Sequence, residues 1–202
     1  MIIVYDQMQV LVGPQLRALA DVLAGGPASV ADAPSLCEGW ALRHVVAHMT
    51  MAARYDVSAF MAELAAVGGD FGTLSEKVAR RDGDLPFDLL LADLRSDTMA
   101  AWAPPGGGAA GALSHAVIHS LDITAAAGLP RAAEDRAVRL VLDGLAEDGA
   151  SRHFGVSAAG LLLRATDLDW QWGRGPLVEA PAGDLVLALA ARARPGIDLH
   201  VG

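Results

Sequence analysis

The chain has 202 residues, 53% of them hydrophobic, and a formal net charge of −9. This length suffices for one domain with its own core, or for one domain with a small appendage. The negative charge argues against a nucleic-acid partner, because binding to phosphates requires clustered positive charge. No apolar run approaches the roughly 18 residues that span a bilayer, and the N-terminus lacks the basic leading segment of a secretory signal. With a single cysteine as well, the sequence predicts a cytoplasmic protein without a membrane partner.

Apolar residues recur with helical spacing along most of the first 150 positions. Residues 4–25 predict one broken helix, or a helix that begins at Pro14, since proline removes a backbone donor. The most regular pattern extends over 40–67 and predicts one long helix. A short helix is expected at 73–81, and Pro86 is expected to open another that continues to about residue 102.

A glycine- and proline-rich stretch at 104–108 separates these helices from a further one at about 112–127, and another amphipathic helix is expected at 131–147. The pattern changes near 149–155. The elements expected beyond it are short strands at about 161–163, 169–172, 176–178 and 197–201 and a helix at 183–193. The predicted division is therefore a helical domain over 1–149 and a small α/β domain over 150–202.

Four of the six histidines form two pairs with the same spacing, His44 with His48 and His115 with His119. Residues four apart lie on one face of a helix, so each pair can reach one metal ion from the same side. The pairs lie on two different predicted helices, and facing helices of a bundle commonly build metal sites. A lone histidine is more often hydrogen-bonded to a carbonyl, but two such pairs favour a divalent-metal site.

Asp122 continues the stripe of His115 and His119 along the same helix face. It is interpreted as a further ligand, as an acceptor that orients a histidine ring, or as a solvent-exposed residue. The segment HAVIH also invites comparison with the HExxH motif of zinc peptidases, but Ala116 stands where that motif needs a glutamate as general base. A zinc peptidase is therefore excluded.

Residues 35–49, SLCEGWALRHVVAHM, resemble the N-terminal signature of the mycothiol-dependent maleylpyruvate isomerase family, within the DinB-like metal-binding superfamily. Residues 115–122 look like the downstream helix of that family, and several segments between 163 and 185 are similar to its small C-terminal domain. The resemblance implies a mainly α fold, with an up-and-down four-helix bundle followed by a small C-terminal α/β domain.

The resemblance also implies a divalent metal, zinc or nickel, held by His48, His115 and His119. His115 stands where isomerase-like members carry a glutamate, so the site looks like the three-histidine version found elsewhere in the superfamily. His44 replaces an aspartate of the signature and is expected beside the site or at the surface, and only weakly as a fourth ligand. Asp122 is expected to support the ligands from behind.

Three neutral histidines leave an open position on the ion, as catalytic metal sites do. The implied function is a transferase or isomerase that acts on a small electrophile with a low-molecular-weight thiol, mycothiol, activated as a thiolate. Two alternatives stay open: a non-catalytic metal- or ligand-binding protein, and a metal-dependent hydrolase. The alanine- and glycine-rich composition agrees with an actinobacterial source, and a monomer or homodimer is expected. Cys37 is interpreted as a small buried hydrophobe rather than a reactive thiol.

Overall fold

The computed structural model describes residues 2–201, and side chains over residues 7–199. The chain forms two compact units, Met1–Ala132 and Ala133–Gly202. The division comes earlier than the boundary expected from the sequence, because the helix Asp135–Gly144 packs against a helix of the second unit, Ala182–Leu189. Within the described residues, no helix is both long and apolar enough to cross a membrane.

The described part of the first unit is helical. Its helices are α1 (Ile2–Ala24), α2 (Leu42–Met49), α3 (Met51–Arg54), α4 (Val57–Ala66), α5 (Phe71–Gly83), α6 (Phe87–Leu94), α7 (Asp97–Ala101) and α8 (Gly108–Thr124). Helix α1 packs against α8, α8 against α2, and α2 against α5, while α6 and α7 pack against α1. This arrangement confirms the predicted mainly helical fold and positions α2 and α8 side by side.

Helix α1 continues through Pro14, so the predicted break there is wrong. The helix is held by packing, since Leu16, Leu19 and Leu23 are all buried. Gly13 allows α7 to approach closely, because a Cβ at that position would lie 2.9 Å from the Cβ of Ala100. Tertiary contacts therefore outweigh the local preference of proline to end a helix.

The single long helix predicted over 40–67 is also wrong, because the segment divides into α2, α3 and α4. The Oγ1 hydroxyl of Thr50 donates to the carbonyl of Val46 at 2.8 Å, where α2 ends. Asp56 then caps a new helix, since its carboxylate accepts from the backbone N–H of Ala59 at 2.8 Å. Such local side-chain hydrogen bonds compete with helix continuation, which apolar spacing alone does not reveal.

The helix predicted from Pro86 to about residue 102 is interrupted in the same way. Helix α6 ends at Leu94, and the Oγ of Ser96 accepts from the backbone N–H of Met99 at 3.2 Å to start α7. The short helix expected at 73–81 is longer, because Asp70 caps it at the start and it continues to Gly83. Capping residues thus set these boundaries.

Arg54 joins three of these helices through a largely buried network. Its guanidinium donates to Asp82 at 2.9 Å, to Asp93 at 2.7 Å and to the hydroxyl of Thr50 at 2.8 Å. The exposed fractions of the side chains are 15% for Arg54, 7% for Asp82 and 16% for Asp93. This network fixes α3, and with it the end of α2, against α5 and α6.

The second unit contains short strands and helices, as the sequence predicts. Its helices are α9 (Asp135–Gly144), α10 (Ala150–Phe154) and α11 (Ala182–Leu189), and its strands are β1 (Val156–Ser157), β2 (Leu162–Ala165), β3 (Gln171–Gly173), β4 (Leu177–Ala180) and β5 (His200–Val201). Strand β2 is central in a three-stranded sheet, antiparallel to β3 and parallel to β4. Strands β1 and β5 form a separate antiparallel pair.

Candidate metal centre

Helices α2 and α8 bring three of the four paired histidines together. His48 lies in the last turn of α2, and His115 and His119 lie one turn apart on α8. The Nε2 atoms of His48 and His115 are 3.1 Å apart. The ring centroids are separated by 5.1 Å for His48 and His115, 5.0 Å for His48 and His119, and 4.7 Å for His115 and His119. Each residue offers a ligand atom within 4.8 Å of the other two.

These three residues fit a divalent metal ion by the chemistry of their donor set. Tetrahedral zinc takes nitrogen ligands at about 2.0–2.1 Å, which separates two such nitrogens by about 3.3 Å. The 3.1 Å between the nitrogens of His48 and His115 is close to that spacing. No other His, Cys, Asp or Glu side chain described by the structure joins this group of three. Among the described side chains of these four types, the set therefore offers three nitrogen ligands and no fourth ligand.

The surroundings keep two of these rings neutral. Burial, together with the nearby charge of His119, lowers the pKa of His48 to about 3, against a smaller opposite effect of the buried Asp122. Burial, followed by the charges of His119 and His48, holds the pKa of His115 well below its usual range. Neutral imidazoles carry the free lone pair that a metal ion requires. His48 and His115 are therefore ready ligands at neutral pH.

Two side chains orient the rings from behind. The Nδ1 of His48 lies 2.9 Å from the Oγ of Ser75, which projects from α5. The Nδ1–H of His119 donates to Oδ2 of the fully buried Asp122 at 2.9 Å. These contacts direct the Nε2 of His48 towards His115 and leave the lone pair of His119 on its own Nε2. Of the interpretations open for Asp122, the solvent-exposed one is wrong, and its place behind His119 fits the supporting role.

Two tryptophans lie beside the histidines. The Trp40 ring centroid is 5.4 Å from that of His48, and the Trp102 centroid is 5.4 Å from that of His115. The indole N–H of Trp40 donates to Glu76 at 2.5 Å, which holds the ring in place. Both indoles are partly exposed. They form apolar walls beside a polar centre, an arrangement typical of small-molecule sites.

His44 does not join the centre. Its Nδ1 accepts a hydrogen bond from the backbone N–H of Ala41 at 3.1 Å, which caps the start of α2. Its ring lies against Gly83, where an added Cβ would be 2.3 Å from Cδ2 of His44. Burial and the charge of Arg80 lower its pKa. His44 thus stabilises the start of α2 and does not point to the cluster. The i, i+4 spacing of His44 and His48 does not reveal this difference between them.

Cys37 differs from its interpretation as a simple buried hydrophobe. It is only half-buried, and its Sγ donates to Oδ2 of Asp122 at 3.3 Å and lies 3.9 Å from Nδ1 of His119. The backbone N–H of Leu36 donates to the backbone carbonyl of Asp122 at 3.1 Å. The loop before α2 therefore lies directly on the part of α8 that carries His119. The contact of Cys37 with Asp122 and the contact of Ser75 with His48 could not be predicted from the sequence, because each joins residues far apart in the chain.

Comparisons with known proteins bear on the family and the fold. A family model described as the mycothiol maleylpyruvate isomerase N-terminal domain matches residues 12–138. A crystal structure of a histidine-to-alanine mutant of the mycothiol-dependent maleylpyruvate isomerase is 16% identical, with a TM-score of 0.57 over 96% of this chain and 92% of that chain. A second crystal structure of the mycothiol-dependent maleylpyruvate isomerase is 15% identical, with a TM-score of 0.48 over the same shares of the two chains.

At this identity the first of these structures shows a shared fold alone, which confirms the DinB-like bundle with a small C-terminal α/β part. No curated protein sequence gives a significant match. The family model covers more than half of the residues, including the loop with Cys37 and all three clustered histidines. The chain therefore belongs to the family of the mycothiol maleylpyruvate isomerase N-terminal domain.

Proposed function

We propose that this protein is a divalent-metal-dependent enzyme that uses a low-molecular-weight thiol, mycothiol, in a transferase or isomerase reaction on a small electrophile. The observation that carries the proposal is the convergence of His48, His115 and His119, with no fourth acidic, cysteine or histidine ligand joining them among the described side chains. Family membership supports the choice of thiol, because mycothiol and an isomerase both stand in the family description.

His48, His115 and His119 would hold a zinc or nickel ion, since imidazole nitrogen suits both metals. Such an ion, when bound, lowers the pKa of a coordinated thiol enough to give a thiolate near neutral pH. The histidines contribute no negative charge, so the full 2+ charge remains available for this effect. A carboxylate ligand in place of His115 would offset part of it.

The side chains around the ligands have their own tasks in this proposal. Ser75 and Asp122 restrict the rings of His48 and His119 to one orientation, so that little conformational freedom is lost when a ligand binds. Trp40 and Trp102 limit the direction from which a thiol and an electrophile approach and exclude water from the reacting atoms. The two indoles are the apolar part of the proposed substrate site.

The two alternatives are favoured less by the geometry. A storage or structural metal site is typically closed by a fourth protein ligand, and His44, the nearest candidate in sequence, instead caps α2 against Gly83. A hydrolase needs a general base that reaches bound water. Asp122, the acid on the ligand face, is fully buried and bonded to the far nitrogen of His119. An open, thiol-activating site therefore agrees best with these contacts.

The proposal is tested by metal analysis of the purified protein and three variants, His48→Ala, His119→Ala and His44→Ala. We expect near-stoichiometric metal in the wild type and in His44→Ala, which is the matched control one turn away on the same helix. Metal that survives dialysis against a chelator should be lost from the other two. Mycothiol is then titrated into metal-loaded and metal-free wild type by calorimetry, with heat of binding expected only for the loaded form.

Two results would contradict the proposal. One is a wild-type protein that takes up no zinc or nickel even after reconstitution. The other is mycothiol binding that is the same with and without metal. If both titrations succeed, the loaded protein is assayed with mycothiol and a panel of small conjugated electrophiles, and failure to consume or isomerise any of them would favour the non-catalytic binding protein.

A further inference from the structure

A second set of metal-ligating atoms lies at the Nδ1 atom of His119. Cys37, His119 and Asp122 each offer one ligand atom, and these atoms lie within 4.8 Å of one another. The distances are 3.3 Å from the sulfur to Oδ2 of Asp122, 3.9 Å from the sulfur to Nδ1 of His119, and 2.9 Å from that nitrogen to Oδ2. The nitrogen involved is Nδ1, which leaves Nε2 of the same ring for the three-histidine cluster.

This triangle has the dimensions of one face of a tetrahedral metal site. Metal–ligand distances of about 2.0 Å to oxygen, 2.0–2.1 Å to nitrogen and 2.3 Å to sulfur place neighbouring ligand atoms about 3.3–3.6 Å apart. Each of the three observed distances differs from that range by less than half an ångström. Small side-chain rotations of Cys37 and Asp122 would therefore complete the geometry.

The charges of the two clusters also differ. A cysteine thiolate and a carboxylate neutralise a divalent cation, whereas three neutral histidines leave its full charge. Asp122 is fully buried, and a neutral assembly is far less costly than a charged one in such an environment. Thiolate ligands prefer soft and borderline cations. The second cluster thus suits a different range of cations from the first.

We propose that Cys37, His119 and Asp122 form a second cation position, selective for soft and borderline divalent cations, on the Nδ1 side of His119. As the sulfur–metal bond forms, the thiol proton of Cys37 leaves to solvent. The proton of His119 moves from Nδ1 to Nε2, so that the Nδ1 lone pair meets the cation. A neutral imidazole has one such lone pair, and the two positions therefore compete for His119.

The position is tested with Co²⁺ titrations in thiol-free buffer, without substrate or activity measurement. Cobalt gives a near-ultraviolet sulfur-to-metal charge-transfer band only when a thiolate binds it, and the chain has a single cysteine. We expect this band in His48→Ala, where the competing three-histidine cluster is broken. The band should be weaker in the wild type at equal cobalt, and absent from the double variant with Cys37→Ser.

Far-ultraviolet circular dichroism confirms that each variant is folded, and His115→Ala replaces His48→Ala if the latter is not. A folded variant that shows no near-ultraviolet band at saturating cobalt overturns the proposal. So does a band at saturating cobalt whose absorbance per protein chain rises with protein concentration, because the sulfur would then bridge two chains. Neither result depends on zinc or nickel uptake by the wild type. A negative cobalt test would therefore contradict this second position and leave the proposed function untouched.

Discussion

Helices α2 and α4 come from the same apolar stretch of sequence, yet they occupy opposite environments. Five of the eight residues of α2 are buried, namely Leu42, Val45, Val46, Ala47 and Met49. None of the ten residues of α4 is buried, and Val57 and Met61 are 81% and 54% exposed. Helix α2 packs against α5, α6 and α8, while α4 has contacts with α5. Apolar periodicity therefore predicts that a helix forms. Whether that helix can fix the orientation of a functional side chain depends on the helices that pack against it.

The largest effect is expected where the two regions are joined, at Arg54. The Arg54→Ala variant leaves the largely buried Asp93 without the cation it pairs with and leaves Asp82 with only the half-exposed Arg81 as cationic partner. The free energy of unfolding should fall by about 3–5 kcal/mol. Urea denaturation measures this loss. Arg80→Ala removes an exposed pair with Glu76 and should cost less than about 1 kcal/mol. Equal losses in both variants would show that the Arg54 network does not anchor the site.

A matched pair of valines tests the difference in burial directly. Val46 is fully buried in α2, and Val57 is 81% exposed in α4. Removing two methyl groups from the core should lower the stability of Val46→Ala by about 2–3 kcal/mol, whereas Val57→Ala should lie within about 0.5 kcal/mol of the wild type. Equal shifts of the urea midpoint in Val46→Ala and Val57→Ala would contradict the difference in burial between α2 and α4.

The pH dependence of the metal-free protein should reveal the buried histidine of α2. The unfolded His48 side chain takes up a proton below its ordinary pKa of 6.5, whereas the folded one does so only near pH 3. Its contribution to stability is therefore complete above pH 6.5 and is lost as the pH falls from 6.5 towards 3, on the order of 1 kcal/mol per pH unit.

Urea unfolding between pH 7 and 5 measures this slope. The His48→Gln variant should reduce this slope but not abolish it, because the pKa of the buried His115 is also lowered. A matched change at the exposed His153 should leave the slope unaltered. A wild-type slope that does not change in His48→Gln would mean that the ring of His48 is not protected from protonation in the fold.

The smallest effect in free energy concerns Ser75, which contacts the far nitrogen of His48. The Ser75→Ala variant should fold normally but bind zinc about 10-fold more weakly, because the ring loses its orienting partner. Competition with a chromogenic chelator gives the affinity. Ser58→Ala, on the exposed face of α4, serves as the control and should bind zinc as the wild type does. An unchanged affinity in Ser75→Ala would remove its assigned role.

The sequence could predict the helical fold and the convergence of His48, His115 and His119, because the i, i+4 spacing and the family signature are local patterns. It could not separate His44 from His48. That distinction depends on Gly83, which accepts the ring of His44 from another helix. The helix breaks at Thr50 and Asp56 could not be predicted either, because the hydrogen bonds that cause them leave the apolar spacing of the sequence unchanged.

Asp122 contacts the loop before α2 through its backbone carbonyl, which accepts from Leu36, and contacts His119 of the histidine cluster through its carboxylate. Exchange of the Leu36 amide proton with solvent deuterium requires this loop to separate from α8. That same separation would expose the carboxylate that orients His119. The exchange rate of one amide therefore reports how often the centre opens, and slower exchange at Leu36 on metal loading would reveal occupancy without any chemical reaction.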